Sequence, residues 1–169
     1  VTTLVVGAPV RGSWWGHPEN ELIYDTLVRL EPETARVKLV NEKVTLVHRR
    51  LWPALVAIGQ SRAPWQLRGL SAASRKILDQ VERPIRADEL DVEVSGKALH
   101  DLIGELERKL IVHGYDLHTE RGFHVRVLEP WSTWQREHGL DEELPPPAAA
   151  TAAFERAIEG WPKVRLPWS

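Results

Sequence analysis

A chain of 169 residues and 19.2 kDa suffices for one ordinary domain or two small ones, and can bury roughly 70% of the surface its unfolded form exposes. With 43% hydrophobic and 27% charged residues, no cysteine and a net charge of −2, its composition is that of a folded chain without disulfides, thiolate metal sites or cysteine nucleophiles. No apolar run approaches the roughly 18 residues of a membrane span, and no signal-peptide pattern opens the chain, which points to a bacterial-type cytoplasm and away from a membrane partner.

Thr3-Leu4-Val5-Val6, ended by Gly7 and Pro9, reads as a brief strand. After the loop-like stretch Gly12 to Pro18, the residues Leu22, Ile23, Leu27 and Leu30 recur at helical spacing. Glu19, Glu21 and Asp25 sit near the positive end of that helix, and Glu31-Pro32 stops it. Residues 36–48 then alternate. A two-residue loop at Asn41-Glu42 pairs Val40 with Lys43, Leu39 with Val44, and Val37 with Leu46. Val37, Leu39, Val44 and Leu46 are then expected on one face, with Lys38 and Thr45 on the other. A helix follows from Pro53 through Leu55, Val56 and Ile58, ended by Gly59 and the stretch Ser61 to Pro64.

In the second half, Ser71 can cap a helix carrying Ile77, Leu78 and Val81. Pro84-Ile85-Arg86 is extended, and Ala87 to Leu90 can form one helical turn. Ser95 can cap a helix whose apolar stripe is Leu99, Leu102, Ile103, Leu106 and Leu110. Two alternating segments follow, about 111–119 and 123–128, joined by Glu120-Arg121-Gly122 with the glycine left-handed. With Thr119 opposite Phe123, that loop places Leu117 opposite Val125 and Tyr115 opposite Val127. The other face pairs His118 with His124 and Asp116 with Arg126, so the large apolar residues share one side. Trp131 and Trp134 are spaced as on a helix, Pro145-Pro146-Pro147 forms a polyproline linker, and Ala148 to Ile158 is a last helix before an irregular tail.

Helix, short strand, short helix, longer helix and hairpin over residues 70–128 resembles the winged helix-turn-helix superfamily. The resemblance implies DNA binding by the third helix, residues 96–109. Ser13-Trp14-Trp15-Gly16-His17-Pro18 and Val47-His48-Arg49-Arg50-Leu51-Trp52-Pro53-Ala54-Leu55 also resemble a bacterial protein family of unassigned function, across residues 12–134. The expected fold is α+β: an N-terminal helix plus β-hairpin part (residues 1–69) packed on a winged-helix-like part (70–130), closed by a C-terminal helix and tail (131–169).

Charge is distributed unevenly along this plan. Residues 1–35 balance at −3, residues 36–76 at +8 and residues 77–169 at −7. A basic segment of this kind either offers a face to phosphates or docks on the acidic remainder of its own chain. On the first reading, Arg49, Arg50, Arg62, Arg68, Arg75 and Lys76 hold phosphates while Trp52 and Trp65 stack on exposed bases. The chain is tryptophan-rich, with 8 in all, and burial of these two indoles is the competing expectation. The third helix opposes the standard DNA-docking mode, because Asp101, Glu105 and Glu107 offset Lys97, Arg108 and Lys109.

His118 and His124 could ligate a metal with His113 or Asp116, but three ligands from one hairpin with no fourth partner point instead to solvent-facing histidines. His17 and His48, with Glu19 or Ser13, could form a hydrolytic site, yet no nucleophile elbow, phosphate loop or dinucleotide fingerprint accompanies them. The expectation is therefore a nucleic-acid-binding protein of regulatory or genome-maintenance type, DNA favoured, with no cofactor. The alternatives are a protein–protein interaction module and an enzyme using His17 and His48.

Overall fold

The computed structural model describes residues 5–8, 10, 12–118, 122, 124–141 and 143–169. The chain is an α+β protein that divides into two compact units, residues 1–35 and 36–169, the division falling inside the first strand. No helix among the described residues is long and apolar enough to cross a membrane.

In the first unit a 3-10 turn, Trp14–Gly16, stacks the Trp14 and Trp15 rings with centroids 4.0 Å apart. Helix α1 (Asn20–Leu30) buries Ile23 completely, with Glu21 in its first turn complementing the helix dipole. Pro32 cannot donate a helical hydrogen bond, and the helix tightens into the 3-10 turn Glu31–Glu33. Val5 and Val6 are helical rather than extended, which corrects the expected opening strand at those two positions; Thr3, Leu4 and Pro9 lie outside the described residues. Four apolar residues carry no period that separates strand from helix.

A two-stranded sheet follows, of β1 (Thr34–Lys38) and β2 (Val44–His48). The loop at Asn41-Glu42 is present, and both residues are left-handed, φ 51° and 60°, as in a type I′ turn. The N–H of Lys43 donates to the Val40 carbonyl at 3.0 Å, while the Lys43 carbonyl accepts from Leu39 at 3.1 Å. The Val40 N–H turns instead to Thr45 Oγ1. Leu39 and Val40 thus both oppose Lys43, a bulge whose extra residue shifts the ladder and turns β2 over. Val37 and Leu39 are buried as expected, but Val44 is 63% exposed and Val47 is buried in its place.

Helix α2 (Trp52–Gln60) is buried continuously from Ala54 to Gly59. A short helix that the sequence pattern did not suggest, α3 (Pro64–Leu67), follows. It is held by the buried Gln66 side chain. Its Oε1 accepts from the Ala63 N–H and the Ser61 hydroxyl, and its Nε2 donates to the carbonyls of Lys109 and Leu110. Helix α4 (Ala72–Gln80) is capped as expected, Ser71 Oγ accepting from the Ser74 N–H at 3.0 Å. Strand β3 (Ile85–Arg86), a 3-10 turn Ala87–Glu89 and helix α5 (Gly96–Arg108) come next. Ser95 occupies the N-cap position of α5 without making a side-chain cap bond.

Strands β4 (His113–His118) and β5 (His124–Glu129) complete an antiparallel sheet of order β3-β5-β4. Its register pairs His118 with His124, Leu117 with Val125, Asp116 with Arg126 and Tyr115 with Val127, as the alternation predicts. Thr119, Glu120, Arg121 and Phe123 of the connecting loop lie outside the described residues; Gly122 has φ 76°.

Leu128, on the face opposite the expected apolar one, joins Leu70, Ile77, Val81, Ile103 and Leu106 in the core shared with α4 and α5. Gly114 lets that face approach α5, since a Cβ there would overlap the Glu107 carboxylate. Helices α6 (Trp131–Glu137) and α7 (Pro147–Ala157) both pack on α2. Trp131 lies so close over Gly59 that a Cβ would overlap its indole. Complete burial of a side chain of that size contributes about 2–3 kcal/mol.

Candidate functional site

The eight residues of the expected phosphate-binding face are spread over the two ends of α2 and the segment that follows it. Arg49 and Arg50 are exposed in the 3-10 turn ahead of α2, where the Arg50 N–H donates to His48 Nδ1 at 3.3 Å. Trp52 opens α2, donates its indole N–H to the Val47 carbonyl at 2.9 Å and meets Trp134 and His138 edge-on. Arg62 follows the other end of α2 in a left-handed conformation, φ 49°. Partial burial lowers the pKa of its guanidinium, which stays charged because arginine does not deprotonate in proteins.

Trp65 is half-buried against Trp168, ring centroids 5.8 Å apart. Arg68 and Arg75 are exposed near it along the chain, and Arg75 donates to the Leu67 carbonyl at 3.3 Å. Lys76 pairs with Asp91 at 3.3 Å. The nine residues of α2 span about 13 Å, so Arg49, Arg50 and Trp52 stand at one end of it while Arg62 and Trp65 follow the other. Both indoles are engaged with aromatic rings of the chain.

Helix α5 is constrained in a different way. Gly104 lies opposite its apolar stripe and is nonetheless buried, beneath the Arg108 guanidinium and Lys38 Nζ. Glu107, 5% exposed, bonds Lys38 Nζ at 2.6 Å and the Arg126 guanidinium. Arg126 also reaches Asp116 at 3.1 Å, and Arg108 reaches Glu42 at 3.6 Å. The C-terminal half of α5 is thereby covered by the chain itself, and only Lys97, Ala98, His100 and Asp101 project freely.

Asp88, Glu89, Asp91 and Glu93, ahead of α5 in the chain, and Asp101 within it are exposed. Arg86 donates two hydrogen bonds to Asp88 and holds that carboxyl below its ordinary pKa. Lysine–carboxylate pairs thus neutralise part of the basic segment from the acidic half, through Lys38–Glu107 and Lys76–Asp91.

The histidines separate into three settings. His118 and His124 are cross-strand neighbours with ring centroids 3.8 Å apart and remain exposed. His113 is on the opposite face of β4, and Asp116 is bound to Arg126, so neither joins them. Among the described residues no group of three or more His, Asp or Glu side chains could hold a metal ion. His17 belongs to the first unit and His48 to the second, and each Nδ1 accepts a nearby backbone N–H.

His113 makes the arrangement that the sequence reading missed. Its Nδ1 lies 2.8 Å from Glu129 Oε1, both residues are buried, and Glu129 Oε2 has no hydrogen-bond partner among the described residues. The imidazole is walled by Trp131, Trp134 and Tyr115, and His138 stacks on Trp134 with centroids 3.9 Å apart. Burial raises the Tyr115 hydroxyl pKa, and Glu129 and Glu137 raise it further. A carboxylate-held histidine can act as a base, but this one is 8% exposed and enclosed by rings. Extending the hairpin register by one same-face pair places His113 opposite Glu129, and that was the available signal.

No protein-family model, curated protein or solved structure matches this chain.

Proposed function

We propose that the chain is a protein-interaction module built on a winged-helix-like core, with an acidic surface for a basic partner. The order α4, β3, 3-10 turn, α5, β4, β5, with β5 central in the sheet, supports the winged-helix reading of residues 70–128. The observation that carries the functional reading is Glu107. It draws Lys38 and Arg126 onto the C-terminal half of α5, so two cations otherwise available to phosphates are engaged by a carboxylate of the chain itself. Glu93 and Asp101, exposed just before and within the free end of α5, repel phosphate and suit Lys- and Arg-rich protein surfaces.

Exposure of Arg50, Arg62, Arg68 and Arg75 favours the second reading, nucleic-acid binding through the basic segment. Titration with duplex DNA at two salt concentrations, beside thermal melts, separates the readings. The interaction module shows no DNA affinity even at low salt, and Arg49→Ala, which removes an interaction within the chain, lowers the melting temperature only. Nucleic-acid binding instead gives a log–log salt slope of about −0.9 per phosphate contact. A slope of that kind, flattened by Arg62→Ala, Arg68→Ala and Arg75→Ala together, overturns the proposal.

A further inference from the structure

Residues 161–169 have no helix or strand of their own, yet they are held like a bound peptide. Asn41, at the tip of the β1–β2 turn, makes three hydrogen bonds to them. Its backbone N–H donates to the Arg165 carbonyl at 2.9 Å, its Oδ1 accepts from the Arg165 N–H at 2.8 Å, and its Nδ2 donates to the Lys163 carbonyl at 3.2 Å. All three read main chain only, the mode by which recognition domains hold extended peptides of varied sequence.

Side-chain selection comes from two further contacts. Leu166 is 3% exposed. The Trp168 ring meets Trp65 at 5.8 Å and Phe154 at 6.0 Å, and its indole N–H donates to Glu155 at 3.2 Å. Lys163 and Arg165 point outward, leaving the middle of the segment unread. Backbone strain gathers at the same place. Asn41, Glu42 and Lys163 are three of the five non-glycine residues with positive φ among the described residues, and strained backbone of this kind concentrates at ligand clamps.

We propose that the groove between the Asn41 turn, Trp65 and Phe154 is a docking site for an extended Leu-Pro-Trp segment of a partner protein, occupied in cis by residues 163–168. The partner must supply a leucine, a proline that keeps the chain extended, and a tryptophan two residues after the leucine. A tethered segment competes at an effective concentration in the millimolar range, so the partner binds fully only when the cis segment is released. The contacts of this segment involve none of the exposed carboxylates beside α5, and the two readings stand or fall independently.

The test uses the full chain and a fluorescein-labelled nonapeptide of the sequence of residues 161–169, followed by fluorescence anisotropy. Leu166→Ala with Trp168→Ala releases the cis segment, and the peptide then binds at least tenfold more tightly than to the wild type. Adding Trp65→Ala to that variant abolishes the binding. Asn41→Ala, which leaves residues 161–169 intact, gives an intermediate affinity and covers the case in which the double variant does not fold. Equal binding to wild type and released variant, or no binding to a cooperatively melting variant, overturns the proposal. It also fails if neither variant folds, since the segment is then part of the fold. It fails too if an oligothymidylate binds the released variant and the peptide does not, which assigns Trp65 to base stacking.

Discussion

His113 and Glu129 show how a single pair can be held in the interior at a cost to the fold. One carboxylate oxygen is satisfied by the imidazole, and the other, buried, has no hydrogen-bond partner among the described residues. A pair of this kind depends on both members, because removing one strands the other in a medium that solvates it poorly. His113→Ala should therefore destabilise the protein by about 3–5 kcal/mol, the range for breaking a buried pair. His113→Leu combined with Glu129→Met should cost less than the single change. Urea titrations of the single and double variants check this; a double variant less stable than His113→Ala would show that the pair contributes net stability.

The capping serines carry the argument at the level of elements. Ser71 and Ser95 look alike in sequence, each a serine ahead of an apolar stripe. Only Ser71 makes the bond, to the Ser74 N–H, and it also contacts Ser74 Oγ, which in turn donates to Glu105. Ser95 stands at the N-cap with φ −142° and ψ 173° and makes no side-chain cap bond. Ser71→Ala should cost about 1 kcal/mol, the usual value for a lost cap, whereas Ser95→Ala should cost no more than a few tenths. Equal shifts in denaturation midpoint would show that the Ser71 bond adds nothing in solution.

Across the molecule, the segregation of charge along the chain is partly cancelled by contacts between its halves. Lys38 and Glu107 are far apart in sequence and meet in the fold, as do Lys76 and Asp91. Glu107→Gln leaves Lys38 and Arg126 without their shared carboxylate. Both cations are partly exposed, 24% and 30% by side chain, so solvent limits the loss to about 1–2 kcal/mol, below the range for fully buried pairs. The same change adds one net positive charge beside α5. Thermal melts should register the loss. Unchanged stability would mean that the two cations find other partners.

Local periodicity was enough to determine α1, α4, α5 and the register of β4 with β5, because side-chain alternation and helical spacing are properties of neighbouring residues. It determined the Asn41-Glu42 loop as well, but not the bulge beside it. That bulge gives the Val40 N–H to Thr45 Oγ1 and exchanges Val44 for Val47 in the interior. It did not yield α3 either, which rests on one buried glutamine bonded to Lys109 and Leu110 more than forty residues away. Which face of the hairpin meets the helices was decided by Leu128 in the core and by the absence of a side chain at Gly114. The candidate binding residues depended most on tertiary structure. Charge and aromaticity are written in the sequence, but pairing of Lys76 with Asp91, cover of Trp65 by Trp168 and packing of Trp52 on Trp134 are contacts between separate segments. Only the folded chain brings those segments together, and burial there fixes which charges and rings remain available to a partner.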